Sequence, residues 1–161
     1  MEHIISALVE NKSGVLARVA GLFSGRGFNI DSLAVGRTED KSVSRMTIVV
    51  QGDDAILEQV TKQLNKMIDV IKVWDLPQQD AVQRELLLVK IPVEGSRRSE
   101  ILQIADIFGA RVVDVTHRDL TLEMAGNPQT VSSILELLDN FGIKEIVRTG
   151  RIAIGRGERN L

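Results

Sequence analysis

Apolar positions along the 161-residue chain switch between two spacings, every second residue and every third to fourth. These are the periods of a half-buried strand and of an amphipathic helix, so the switches divide the chain into short elements. Residues 4–9 read as a buried strand. After the polar run Asn11-Lys12-Ser13-Gly14, helical spacing follows at Val15, Val19, Leu22 and Phe23, with Leu16 and Ala20 widening the apolar face. Gly25-Arg26-Gly27 ends that helix, because glycine enters the left-handed conformation of a helix terminus without steric cost. Residues 28–35 and 46–50 are strands joined by a polar, turn-like stretch, a hairpin with a long loop. Asp53 and Asp54 offer capping oxygens to a second helix carrying Leu57, Val60, Leu64 and Met67, with Glu58 and Lys62 as an ion pair on its solvent side. Residues 70–76 form a fourth strand.

A polar stretch without periodicity follows, and the cycle then repeats. Residues 85–91 read as a strand and 96–108 as a helix with Ile101, Leu102, Ala105 and Phe108 inward. Residues 111–116 and 120–125 form a hairpin. Asn127 caps a last helix, and Pro128 occupies its first position, where a missing N–H costs nothing. That helix carries Val131, Ile134, Leu138 and Phe141, and residues 143–147 close the cycle as a strand. A shift of 74 places Gly52 on Gly126, Leu57 on Val131, Val60 on Ile134, Leu64 on Leu138 and Met67 on Phe141. Near the first helix a shift of 85 places Phe23 on Phe108, so connections are shorter in the second copy. The expected class is therefore α+β, with two ferredoxin-like βαββαβ domains, antiparallel sheets with helices on one face. The expected partition is 1–77, a linker at 78–84, and 85–161. Two helices cover one face of a four-stranded sheet. The bare faces must meet the other domain, another subunit or a larger partner, which makes a homo-oligomer the expectation.

Composition narrows the functional classes. Val, Ile and Leu supply 51 residues, against four Phe, one Trp and no Tyr. An aliphatic core follows, and the scarcity of aromatic rings argues against binding nucleic acid by base stacking. No apolar run approaches the roughly 18 residues of a membrane span, no signal-peptide pattern opens the chain, and a cytoplasmic location is expected. With no cysteine, disulfides, thiolate catalysis and Cys-based metal sites are absent.

Candidate chemistry is sparse. His3 and His117 are the only histidines, and neither has a partner at ligand spacing. Asp106, Asp114 and Asp119 lie on separate elements, and no nucleophile elbow or phosphate-binding loop is present. Gly21, Gly25 and Gly27 sit inside and after a helix rather than before one, which is the wrong context for dinucleotide binding. No catalytic or metal-ligating residue is assigned. Asn11-Lys12-Ser13-Gly14 is different in kind, since it delivers a strand into the N-terminus of a helix. Free amides and the positive end of the helix dipole suit a carboxylate there. Gly14 lets a ligand or second chain approach the backbone, and Asn11 offers an acceptor for an ammonium group and a donor for a carboxylate. A free amino acid fits that combination; a plain capped turn is the other reading. Arg148, Arg151, Arg156 and Arg159 form a basic stretch, read as a solvated tail or a subunit contact.

Residues 10–33, ENKSGVLARVAGLFSGRGFNIDSL, strongly resemble the small regulatory subunit of acetohydroxyacid (acetolactate) synthase. Residues 44–48, 57–66, 84–91, 114–116 and 148–158 look like the same family, so the similarity spans essentially the whole chain. Residues 93–108 and 130–141 diverge. The resemblance implies an N-terminal ACT domain, the amino-acid-sensing ferredoxin-like module, and an ACT-like second domain. It implies no catalytic site and no cofactor in this chain; thiamine diphosphate, Mg and FAD would belong to the catalytic large subunit. The implied role is to bind that subunit, raise its activity and confer feedback inhibition by valine or a related branched-chain amino acid. In the family the effector lies between ACT domains of two subunits, which carries over to Asn11, Gly14, Val15 and Leu16 from the turn, and Asn29 and Ile30 from the strand. Gly95-Ser96-Arg97-Arg98 stands at the corresponding turn of the second copy and lacks the Asn-x-x-Gly spacing, so the same contacts are not expected there. The alternatives are an ACT-type sensor serving another enzyme, an RNA-binding ferredoxin-like module and a small hydrolase. The strands at 4–9 and 46–50 lack the aromatics an RNA-binding sheet needs.

Overall fold

The computed structural model describes residues 1–157. Two compact units emerge, Met1–Val82 together with residues 151–157, and Gln83–Gly150. In the first, β1 (Glu2–Glu10), α1 (Val15–Gly25), β2 (Ile30–Arg37), β3 (Val43–Gln51), α2 (Asp54–Asn65) and β4 (Val70–Asp75) follow the expected βαββαβ order. The sheet order is β2-β3-β1-β4, with β3 antiparallel to both β1 and β2, so β1 and β2 run the same way. The inward positions of the strands, Ile5, Ala7 and Val9 with Met46, Ile48 and Val50, meet Val15, Val19 and Phe23 of α1 and Leu57, Val60 and Leu64 of α2. Both helical sets recur at intervals of three or four residues, which is why one stripe of each helix is buried. α1 ends as the glycines require: Gly27 has φ +72, and the Phe28 amide returns to the Phe23 carbonyl at 3.1 Å.

The second unit repeats the plan. It contains most of β5 (Ala81–Pro92), then α3 (Arg97–Phe108), β6 (Arg111–Val115), β7 (Asp119–Gly126), α4 (Pro128–Asp139) and β8 (Glu145–Arg148), with sheet order β6-β7-β5-β8. Leu87, Val89 and Ile91 pack with Leu120, Leu122 and Met124 beneath Ile101, Ala105, Val131, Ile134 and Leu138. Asn127 caps α4 by accepting from the Thr130 amide at 2.8 Å, with Pro128 at the helix start. The 74-residue shift therefore maps buried Leu57, Val60 and Leu64 onto buried Val131, Ile134 and Leu138. In α3, Ile101, Ala105 and Phe108 face inward as expected, and Leu102 does not. Leu102 is exposed, and the inward row is Ile101, Ile104, Ala105 and Phe108, fixed by contact with the core.

The boundary between the halves also differs from the expected linker at 78–84. A short 3-10 turn spans Gln78–Asp80 and β5 begins at once at Ala81, which is buried with Ile4, Val49 and Leu76. The tail departs from the sequence partition too. Its strand β9 (Ile152–Gly155) is hydrogen-bonded to β5, while Ala153 joins the Ile4 cluster, and residues 151–157 group with the first unit. Ile4 and Val49 point away from the helices, on the face that the sequence left bare. A chain segment distant in sequence seals that part of it.

The arginines of the tail are anchored rather than solvated. Arg148 binds the buried Glu85 carboxylate through Nε at 2.7 Å and Nη2 at 2.6 Å. Arg151 pairs with Glu2, and Arg156 donates to the Ala81 carbonyl at 3.3 Å. Arg159 lies outside the described residues. Among the described residues, no helix is long and apolar enough to cross a membrane, and no group of three His, Asp or Glu could hold a metal ion.

Candidate functional site

The turn between β1 and α1 is built by three restraints. The Asn11 amide donates to the Ser42 carbonyl at 2.7 Å, and Asn11 Nδ2 donates to the Lys41 carbonyl at 2.9 Å, tying the turn to the β2–β3 loop. That loop is itself held by Asp40, whose carboxylate accepts from Ser42 Oγ at 2.7 Å and the Ser42 amide at 2.9 Å. Those two hydrogen bonds, the hydroxyl first, hold the Asp40 carboxyl below the ordinary carboxylate range. The Glu10 amide donates to the Asp69 carbonyl at 2.8 Å, which fixes the other side.

Gly14 is the N-cap of α1 in the left-handed region, φ +85 and ψ −10. A side chain there is strained, so the sequence position requires glycine. No side chain caps the helix, and its first turn contains no acidic residue. The terminal amides and the positive end of the dipole are thus unopposed by any carboxylate of the helix itself. Both other well-capped helices contrast with it: Asp53 accepts from the Ile56 amide at 2.8 Å on α2, and Asn127 serves α4.

Arg18, one turn further, was not singled out from the sequence. Its Nη1 lies 3.1 Å from where a Cβ on Gly14 would stand, and its Nε and Nη2 bind Asp69 at 2.7 and 2.6 Å. The signal available was its position four residues after Gly14, on the same face of the first helical turn. The guanidinium brings positive charge to the turn, and Asp69 orients it.

The six candidate positions divide between two places. Asn11, Gly14, Val15 and Leu16 stand at one end of the sheet. Ile30 pairs with Val50, which also pairs with His3, so Asn29 and Ile30 stand level with the start of β1. From residue 3 to residue 11 is eight steps, roughly 26 Å at ~3.3 Å per residue. One chain does not bring the two groups together. Their side chains also differ in availability. Val15 is buried in the core, leaving its backbone and not its side chain at the turn, while Leu16 is 46% exposed. Ile30 is half-buried against the core. Asn29 is exposed, and its Nδ2 donates to Asp31 at 2.8 Å, with Gln51 bound to the other oxygen of Asp31. One side-chain N–H of each asparagine is thus engaged within the chain, and each side-chain carbonyl oxygen is an acceptor.

The equivalent turn of the second unit is built otherwise. Gly95 is again left-handed, φ +56, but Glu100 lies in the first turn of α3. Arg97 stacks over the Phe141 ring at 4.5 Å and donates to the Asn140 carbonyl, and Arg98 donates to the Thr116 carbonyl. His3 Nε2 lies 3.2 Å from the Gly52 carbonyl and 4.0 Å from Asp54 at the end of the strand, and His117 is exposed between β6 and β7.

Comparison with known proteins places this geometry in context. Residues 5–72 match the family described as the AHAS small subunit-like ACT domain, and residues 84–157 match the small subunit of acetolactate synthase. A probable acetolactate synthase small subunit of Methanothermobacter thermautotrophicus is 56% identical over 160 residues, covering 99% of this chain and 95% of the relative. The acetolactate synthase small subunit of Mycolicibacterium smegmatis is 49% identical over 159 residues, covering 99% and 94%. Among solved structures, the acetolactate synthase small subunit of Thermotoga maritima superposes with a TM-score of 0.90 at 38% identity, covering 98% of this chain and 99% of that one.

Proposed function

The chain belongs to the acetolactate synthase small-subunit family, and from that membership we propose that it is a non-catalytic subunit that binds the catalytic large subunit, raises its activity and makes it sensitive to valine or a related branched-chain amino acid. The observation that carries the sensing part is the β1–α1 turn, where left-handed Gly14 opens an uncapped, acid-free helix N-terminus within the ACT domain. Such a terminus holds a carboxylate through backbone amides, and Arg18 adds positive charge beside it. The carbonyl oxygens of Asn11 and Asn29 accept from the ammonium group. Leu16 and Ile30 supply aliphatic surface for the side chain.

The roughly 26 Å between the two groups of residues supports a site shared by two copies. Strand β2 is an edge of its sheet, and two β2 edges can pair antiparallel about a two-fold axis. With that axis at the middle of the strand, Ile30 of one copy stands opposite Arg37 of the other. Arg37 pairs with Ser44, and Ser44 with Val9, two residues before Asn11. The pairing therefore brings Asn29 and Ile30 of the second copy to the level of the turn. A homodimer, or a higher oligomer built from it, is the assembly this reading requires.

Effector binding across the dimer would favour one arrangement of the two sensing domains. Its effect on the catalytic subunit is bounded by the difference in its affinity for the two states, typically ~1–3 kcal/mol. Thiamine diphosphate, Mg and FAD are assigned to the catalytic partner, and the setting to the cytoplasm. Calorimetric titration of valine, leucine and isoleucine into the isolated protein tests the sensing role. Saturable heat for at least one of the three is expected, with the protein sedimenting as a dimer. No binding of any of them, or binding of equal strength by a strictly monomeric chain, would overturn it.

A further inference from the structure

The β2–β3 loop also borders a concavity of about 250 Å³ on the face of the first sheet opposite its helices. The floor is formed by Leu8 of β1 and Arg45 of β3, which pair across the sheet. Both point away from the core, because Ala7, Val9 and Met46 beside them point into it. Val43 and Ile71 add apolar wall, and Glu39 and Asp40 line the hollow from the loop. The loop has a fixed shape. Thr38 Oγ1 donates to the Asp40 and Val43 carbonyls at 3.0 and 3.1 Å, and the Val43 amide donates to the Asp40 carbonyl at 3.0 Å.

The charges around this hollow are left open. Arg45 is half-buried, yet among the described residues neither its side chain nor that of Glu39 has an ion-pair or hydrogen-bond partner. Opposite charges thus line one concavity without reaching each other. Asp40 engages Ser42 through Oδ1 alone, and its Oδ2 is unpartnered among the described residues. Gly36, which pairs with Arg45 from β2, has no side chain to cover the guanidinium, and a Cβ there would meet nothing within 4 Å. A guanidinium matches a carboxylate in a two-pronged geometry, and carboxylate oxygens accept from an ammonium group. The volume falls below the roughly 300–1,000 Å³ of drug-sized pockets, which is the scale of one amino acid rather than a cofactor.

We propose that this concavity is a second amino-acid site, contained in one copy of the chain, for a zwitterion with an aliphatic side chain. Arg45 takes the carboxylate, Glu39 and Asp40 Oδ2 take the ammonium group, and Leu8, Val43 and Ile71 take the side chain. The site uses no helix terminus and needs no second copy, so it is separate from the one proposed at Gly14. It is open to solvent, where ion pairs contribute little each, and its affinity is therefore roughly millimolar, weaker than that of the shared site.

NMR shift mapping on the intact chain tests it, with valine, leucine and isoleucine titrated into the Gly14→Asp variant, in which the other site is disabled. For at least one of the three, saturable shifts are expected at the Arg45 amide and at the methyl groups of Leu8 and Ile71. Adding Arg45→Gln is expected to weaken that binding by about tenfold or more. The 2-oxo acid of the same carbon skeleton lacks the ammonium group and is expected to bind about tenfold more weakly, a gap that Glu39→Gln narrows. Where Gly14→Asp fails to fold, the same methyl groups are followed in the unaltered protein and in Arg45→Gln. No saturable shift at these positions for any of the three amino acids would overturn the proposal, as would shifts that Arg45→Gln leaves unchanged or equal binding of the 2-oxo acid. In the unaltered protein, shifts at Asn11 and Gly14 with none at Leu8 and Ile71 would reject this site and keep the shared one. Shifts at Leu8 and Ile71 that Gly14→Asp leaves intact, with none at Gly14, would do the reverse.

Discussion

Replacing Gly14 by aspartate tests the site at its most constrained atom. The backbone there has φ +85, a region that costs a non-glycine residue roughly 1–2 kcal/mol, with Asp and Asn at the tolerant end. The added Cβ would stand 3.1 Å from Arg18 Nη1, and that side chain can yield. Stability should therefore fall modestly and the fold survive. Binding should suffer far more, because in the proposed site the new carboxylate would face the carboxylate of the effector. Two unit charges ~4 Å apart repel by about 4 kcal/mol at an effective dielectric of about 20. Partial neutralisation by Arg18, already engaged with Asp69, reduces this, and about 2 kcal/mol is a conservative remainder. Every ~1.4 kcal/mol is tenfold, so valine affinity should fall by about 30-fold or more. Calorimetric titration reads that loss, thermal unfolding checks the fold, and Gly14→Asn separates charge from shape because it shares the strain without the charge. A folded Gly14→Asp variant that binds valine within about threefold of the unaltered protein would refute the reasoning. Equal losses in the Asn and Asp variants would show that shape, not charge, sets the effect.

Other perturbations have equally local causes. Asp53→Ala removes the cap on α2 and should cost about 1 kcal/mol, read by chemical denaturation, with exchange in the second unit unchanged. Arg148→Ala leaves the buried Glu85 carboxylate without its partner and should cost on the order of 3 kcal/mol in the second unit, seen as faster exchange of β5 and β7. Asp75 has its carboxyl pushed above the ordinary range by partial burial, with His3 opposing and Asp54 reinforcing. A raised carboxyl pKa favours folding while the group is protonated, and that stability is lost as pH rises through the folded-state value. Asp75→Asn should therefore raise the melting temperature at neutral pH, with the gain vanishing in acid below the ordinary carboxylate range; a gain that grew toward low pH would contradict this.

The βαββαβ repeat was legible because each buried stripe has the period of its element. Leu57, Val60 and Leu64 and their counterparts Val131, Ile134 and Leu138 are buried alike, and both capped helix starts, Asp53 and Asn127, form as their side chains suggest. Phase was harder where apolar residues run together. In Ile101-Leu102-Gln103-Ile104-Ala105 two helical faces fit the pattern, and packing chose the one without Leu102. Strand β9 escaped for the opposite reason, since its inward residue is only an alanine and its two isoleucines face outward. The turn at Gly14 was visible from its glycine and its place before a helix. Its supports were not, because Lys41, Ser42 and Asp69 come from positions 30 or more residues away, and only the fold brings them there. Val15 shows the limit of reading a pocket from residue type: its spacing with Val19 and Phe23 commits its side chain to the core.

Reconstitution with a catalytic large subunit tests whether the Gly14 turn carries the proposed regulation. Acetolactate formation by the purified catalytic large subunit is measured alone, with this chain, and with this chain plus valine, then again with the Gly14→Asp variant. The chain is expected to raise the rate and valine to lower it, while the variant still raises it but leaves it insensitive to valine. No change in rate on adding the chain, or undiminished valine inhibition with the variant, would contradict it.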